Sequence, residues 1–171
     1  RSQVSWVAPE NFHITLHFLG EISRQSQSHI NDDRRLYVTG AALETLKRRC
    51  ELQTFPKSFN VRLKDADAFP SKKDPKTLLV HVQSNPSLFG VYKRLGDVVA
   101  SLGFDIDERP FRPHITLGRV RSRAEVLKPE LIQAEAVFLV DRVILYESTL
   151  TPQGSVYTSL LTINLCPTSN T

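Results

Sequence analysis

Hydrophobic and polar positions alternate over one stretch near the start of the chain. Phe12, Ile14, Leu16 and Phe18 fall on one side of an extended strand, and His13, Thr15 and His17 on the other. Residues 21–33 break the pattern; they are polar, rich in Ser and Gln, and read as a loop. Leu43, Leu46 and Cys50 then predict a helix over roughly 41–53, approached through Leu36, Tyr37 and Val38. Alternation returns at Phe59, Val61 and Leu63. The segment DAFPSKKDP, residues 67–75, reads as a turn-rich loop leading into a strand at Thr77–Val82. A second helix, capped by Asn85 or Ser87 and ended by Gly103, carries an apolar face of Leu88, Val91, Leu95, Val98, Val99 and Leu102. Residues 113–120 read as a strand and 124–133 as a short helix. Two long β-type runs follow, Ala136–Tyr146 and Val156–Leu165, joined by the turn LTPQG. The order is strand, helix, strand, strand, helix, strand, strand, strand. Neighbouring strands are close enough for hairpins, so the expected class is α+β with mainly antiparallel sheet.

Composition narrows this only a little. The 171 residues fit one domain, taken as 1–171, that buries its core without disulfides. An apolar fraction of 40% and a charged fraction of 23% exclude disordered, collagen-like and coiled-coil chains. No apolar run approaches the ~20 residues of a membrane-spanning helix, and nothing ahead of the first motif reads as a secretory leader. The expectation is a cytoplasmic monomer with no membrane partner. Cys50 and Cys166 lack ligand spacing and are expected as reduced thiols. The chain contains no Met, so residue 1 reads as a processing or fragment boundary. The net charge of +4 favours an anionic partner such as RNA or a nucleotide without requiring one. Most basic clusters (Arg34-Arg35, Lys47-Arg48-Arg49, Lys72-Lys73 with Lys76, and Arg119, Arg121 and Arg123) are explained by a solvated surface.

The informative feature is a tetrapeptide that occurs twice: His13-Ile14-Thr15-Leu16 and His114-Ile115-Thr116-Leu117. Ile, Thr and Leu all suit strands, which accounts for the apolar pair. It does not account for His and Thr recurring together on the other face. A Thr two residues after a given His arises by chance roughly once in fifteen. On a strand, residues two apart share a side, so each copy presents an imidazole beside a hydroxyl. If the two strands face one another, two imidazoles and two hydroxyls surround one space. One neutral and one protonated imidazole can act as general base and general acid near neutral pH. Two hydroxyls can donate hydrogen bonds to nonbridging phosphate oxygens. Such a site cleaves a phosphodiester without metal or cofactor, through positioning and charge stabilisation.

Three blocks make a resemblance specific. WVAPENFHITLHFLGE (residues 6–21), GFDIDERPFRPHITLGRV (103–120) and LYESTLTPQGSVY (145–157) occur in order. The chain resembles the 2H phosphoesterase superfamily, named for its two His-x-Thr/Ser-x motifs. Within it, the chain is most similar to the bacterial and archaeal RNA 2′,3′-cyclic phosphodiesterases, also called 2′-5′ RNA ligases. The resemblance implies a two-lobed fold with pseudo-twofold symmetry around a central cleft and helices outside. One motif would lie in a lobe segment of about 4–20 and the other in about 113–120. It implies that His13 and His114 are the acid/base pair and that Thr15 and Thr116 hold a cyclic phosphate. The implied reaction opens an RNA 2′,3′-cyclic phosphate to a 2′-phosphomonoester, with His114 taken as base and His13 as acid. The resemblance also implies a reversible joining of RNA ends through a 2′-5′ linkage, as a side activity. Relatives usually open with a strand and a helix ahead of the first block, so these elements are expected to be missing here. Residues 23–40 are longer and more polar than the resemblance leads one to expect.

Arg119 is the third candidate, since the family has an Arg at this spacing near the phosphate. Strict alternation would turn it away from His114, but Gly118 offers a bulge that could reverse this. His13 and His17 have the spacing of a zinc pair, yet the zincin pattern needs a helix and a Glu, and neither is here. His29 and His81 are expected to be structural or exposed. The rival readings are a non-catalytic RNA- or nucleotide-binding module on the same fold, and another 2H phosphodiesterase activity.

Overall fold

A computed structural model describes residues 4–20, 40–104, 106–107, 109–121, 135–151 and 154–167. The expected loop over 21–33, the approach at 36–38 and the short helix over 124–133 lie outside the described residues. The described chain divides into two compact units. One comprises the described parts of Arg1–Leu16, Phe59–Asn85 and Pro110–Val140, the other those of His17–Ser58, Pro86–Arg109 and Asp141–Thr171.

The first unit is an antiparallel sheet in the order β1–β4–β3–β2–β5, made of β1 (Val4–Trp6), β2 (Phe59–Pro70), β3 (Pro75–Val82), β4 (His114–Val120) and β5 (Ala136–Val140). The central strand β3 carries the run Leu78-Leu79-Val80, all buried. Val4, Ala68 and Leu78 cluster on one face, with Leu117 and Val120 packed against them. Each fully buried Val or Leu of this kind contributes about 1.5–3 kcal/mol.

β2 is longer than the sequence suggests. Asp67–Pro70, expected in a loop, is paired with β3, and the connection shrinks to residues 71–74. The Asp74 N–H donates to Ser71 Oγ at 3.2 Å there. The cause is a bulge: the register shifts between Lys64 and Ala66, and Asp65 adopts a φ of 56°. One extra residue breaks the alternation without ending the strand.

The second unit holds α1 (Gly40–Glu51), α2 (Pro86–Ser101) and the hairpin of β6 (Arg142–Thr151) and β7 (Gly154–Asn164). Leu88, Val91, Leu95, Val98 and Val99 of α2 are buried as their spacing predicts. Gly103 ends the helix at a φ of 80°, its N–H donating to the Ala100 carbonyl at 2.9 Å. Cys50 and Cys166 are free thiols, and burial with Glu51 nearby pushes the Cys50 thiol up. The expected single run Ala136–Tyr146 is two strands of different sheets. It divides at Asp141, whose carbonyl accepts the Leu165 N–H at 2.7 Å and whose carboxylate accepts from Arg142 Nε at 2.8 Å. A continuous apolar run looks alike whether it is one strand or two.

The expected strand through Phe12–Phe18 does not form a ladder. Its one sheet contact is an antiparallel bridge between Ile14 and Ile115, and Phe18 is 80% exposed. The α+β class with antiparallel sheets stands. No helix among the described residues is long and apolar enough to cross a membrane.

Candidate active site

Both His-x-Thr copies belong to the first unit and run along β4. β1 pairs antiparallel with the end of β4, and the Val7 N–H extends this contact to the Leu117 carbonyl at 2.8 Å. The chain then leaves through a 3₁₀ turn, Pro9–Asn11, closed by the Asn11 N–H on the Ala8 carbonyl at 2.8 Å. It returns so that Ile14 faces Ile115. Antiparallel pairing with these two opposite each other sets His13 across from Thr116, and Thr15 across from His114. The two Ile side chains share one side and the four polar ones the other. By this register each His stands opposite the Thr of the other copy.

The two imidazoles are oriented by the same device. His13 Nδ1 lies 2.7 Å from the Asn11 carbonyl, and His114 Nδ1 lies 2.9 Å from the Arg112 carbonyl. A carbonyl only accepts, so Nδ1 carries a proton in both. The lone pair of the neutral ring is then on Nε2. The start of β4 is pinned by the Pro113 carbonyl, which accepts the Val82 N–H at 3.0 Å.

Arg119 reaches the same face through the bulge that Gly118 signals. β3 pairs Leu79 with Thr116 but Leu78 with Gly118, which leaves Leu117 as the extra residue. The shift resets the alternation. Arg119, opposite Thr77 and Ser5, joins the face of Thr116 and His114. Gly118 is required by close approach: a Cβ there would lie 2.7 Å from Val4 Cγ1 and 3.0 Å from the Ser5 carbonyl. Arg121 donates to Ser5 Oγ at 3.0 Å, and Arg123 lies outside the described residues.

Residues 5–151 match the model of the 2′-5′ RNA ligase superfamily. The chain belongs to that superfamily. It is an enzyme of the 2H phosphoesterase type. Curated relatives within this family are named RNA 2′,3′-cyclic phosphodiesterase. That of Thermotoga maritima is 35% identical over 156 residues, covering 90% of this chain and 75% of the relative. That of Methanocaldococcus jannaschii is 28% identical over 160 residues, covering 90% and 80%. Among solved structures, TT0787 of Thermus thermophilus superposes with a TM-score of 0.72 at 24% identity, covering 96% of this chain and 84% of that one. Escherichia coli LigT, solved with 3′-AMP, superposes with a TM-score of 0.69 at 23% identity, covering 95% and 82%. These structures share the fold of the 2′-5′ RNA ligase superfamily member described here.

Two further histidines separate sharply in this family member. His17 packs in the second unit, stacked on Tyr92 with ring centroids 4.4 Å apart, its Nε2 2.8 Å from the Tyr92 carbonyl. Gly96 gives it room, since a Cβ there would lie 3.2 Å from His17 Cε1. His17 is therefore a packing residue. His81 is half exposed, in keeping with the expectation. It pairs directly opposite His114, and its Nε2 lies 3.1 Å from Asp67 Oδ2. That hydrogen bond is the main reason the Asp67 carboxyl is held below its ordinary value. Among the described residues, no group of three or more His, Cys, Asp or Glu is placed to hold a metal ion.

Proposed function

We propose that the chain hydrolyses 2′,3′-cyclic phosphate ends of RNA to 2′-phosphomonoesters through His13 and His114, with Thr15, Thr116 and Arg119 binding the phosphate. The observation that carries this reading is the crossed arrangement set by the Ile14–Ile115 bridge. It sets an oriented imidazole from each copy opposite the Thr of the other. In the forward reaction a water oxygen attacks phosphorus and the bond from phosphorus to the 3′ oxygen breaks. His114 Nε2 takes the proton of the water, and protonated His13 gives its proton to the departing 3′ oxygen. The 2′ ester bond is untouched, so the product is a 2′-phosphate. The Thr hydroxyls donate to the nonbridging oxygens, and the Arg119 guanidinium offsets their growing charge. A 5′-hydroxyl in place of water yields a 2′-5′ linkage by the same steps. The relatives' shared name supports this substrate class.

The test is incubation of the protein with a short RNA ending in a 2′,3′-cyclic phosphate, with the product identified by mass and by phosphatase sensitivity. A 2′-phosphate end is expected, and EDTA leaves the rate unchanged because acid and base are both side chains. Retained binding without turnover would instead establish the non-catalytic module.

A further inference from the structure

On the β4 face that carries His114, the register extends the site sideways across the sheet. His114 of β4 is paired with His81 of β3, and His81 with Lys64 of β2. Neighbouring strands are about 4.8 Å apart, and directly opposed side chains start about 5 Å apart. Three nitrogen-bearing side chains therefore stand in one row leading away from the reacting imidazole. Arg62, two positions from Lys64 on β2, continues the same face. His81 does not serve the core. Leu78, Val80 and Val82 of its strand are buried on the opposite face, whereas its own side chain is 43% exposed.

Asp67 fixes what His81 presents. The carboxylate accepts from Nε2, which turns Nδ1 away from Asp67; whenever the ring carries a second proton, that Nδ1–H is the donor left for a ligand. A ring so placed sits between one carboxylate and whatever anion approaches along the row. Of the charged groups on this face, Lys64, Arg62 and Arg119 are cationic and Asp67 is anionic. The field along the row favours an anionic chain rather than a neutral group.

We propose that His81, oriented by Asp67, binds the phosphodiester next to the reacting cyclic phosphate, and so makes the enzyme prefer an oligonucleotide end to a free cyclic mononucleotide. This rests on the reading that the His13–His114 face holds the cyclic phosphate. The residue adds a binding contact beyond the reacting phosphate; the acid and base remain as assigned above.

The experiment compares kcat/KM for a tetranucleotide ending in a 2′,3′-cyclic phosphate with that for a nucleoside 2′,3′-cyclic monophosphate. It uses the wild-type protein, His81→Asn and Asp67→Asn. In wild type the oligonucleotide is preferred. In His81→Asn that preference falls about tenfold, as loss of one charged hydrogen bond predicts. Asp67→Asn lowers it in the same direction. The affinity of the 2′-phosphate-ended tetranucleotide, measured against salt, loses about 0.7 from its logarithmic slope in His81→Asn, the share of one phosphate contact on a single strand. The proposal is overturned if both substrates lose rate equally in His81→Asn, or if preference and salt slope are both unchanged. The product-affinity arm needs no turnover. If wild type opens neither substrate, the hydrolytic reading fails by itself, and the salt slope still decides the role of His81.

Discussion

Adding a single methyl group at Gly118 tests the geometry that carries Arg119 to the site. In Gly118→Ala the new Cβ would lie 2.7 Å from Val4 Cγ1, 3.0 Å from the Ser5 carbonyl and 3.1 Å from Trp6 Cε3. Two of these neighbours cannot yield cheaply. Val4 is a stiff β-branched residue, 5% exposed and clustered with Ala68 and Leu78, and the Ser5 atom is backbone. Overpacking of this kind costs about 1–3 kcal/mol. Alanine returns about 0.4–1 kcal/mol by restricting the unfolded chain. The net expectation is a loss of about 1–2 kcal/mol, which lowers Tm by roughly 3–6 °C in a chain of this size.

Gly90 of α2 supplies the contrast, because a Cβ there meets nothing within 4 Å. Gly90→Ala should stabilise the protein by about 0.5–1 kcal/mol through helix propensity alone. Reversible urea unfolding of both variants gives the two signs in one assay. A double variant locates the strain. Trimming Val4 to Ala removes Cγ1, so the Gly118→Ala penalty should shrink by about 0.5 kcal/mol or more in that background. If Gly118→Ala matched or exceeded wild-type stability, or if the two changes were additive, β1 would not lie against the bulge as described.

Three other outcomes follow from the site and the charges. His13→Ala and His114→Ala should each lower turnover by ~10²-fold or more, and the wild-type pH–rate profile should be bell-shaped, because one imidazole must be neutral and the other protonated; near-full activity of either variant refutes the two-histidine mechanism. Thr15→Val and Thr116→Val keep the β-branched shape and remove a hydroxyl that donates to a charged oxygen, so kcat/KM should fall by about 10- to 100-fold with little change in urea midpoint. Hydrogen bonds from His81, Arg109 and Arg142 hold Asp67, Asp107 and Asp141 below the ordinary carboxylate value, Asp107 at about 2. A depressed folded-state pKa contributes stability above the unfolded value that is lost as pH falls through the folded one. Urea midpoints should therefore decline from about pH 4 toward pH 2, and a midpoint that rises over that range contradicts these pairings.

The helices and the central strand were legible because one physical signal governs them. The apolar positions of α2 recur at the helical period, and Gly103 closes the helix where only a left-handed residue fits. The duplicated His-Ile-Thr-Leu stands out in the sequence, and the Ile14–Ile115 bridge brings its two copies side by side. The strand expected around the first copy was not legible. Its alternation is real, but pairing partners are a tertiary property, and here the chain detours through Pro9–Asn11 before making a single bridge. His81 was obscured for a related reason. A run such as Leu-Leu-Val-His-Val looks like a buried strand, and which face its one polar residue takes depends on a neighbour far away in sequence.

The two bulges explain why the site face could only be half read. Continued from Phe59, Val61 and Leu63, strict alternation would put Asp67 on the buried face of β2. The extra residue at Asp65 instead leaves Ala66 and Ala68 buried and turns Asp67 toward His81. Along β4, strict alternation from His114 would turn Arg119 away, and the extra residue at Leu117 brings it back. Both irregularities therefore act in one direction, adding a charged side chain to the face that already carries His114 and Thr116. Only one was announced in the sequence, by a glycine inside a strand. The other rests on an Asp in a backbone conformation that non-glycine residues seldom adopt, and aspartate is among the few that tolerate it. A period-two reading finds the residues that follow the pleat. Arg119 and Asp67 lie just beyond breaks in the pleat, so the face they take becomes visible only once the register is known.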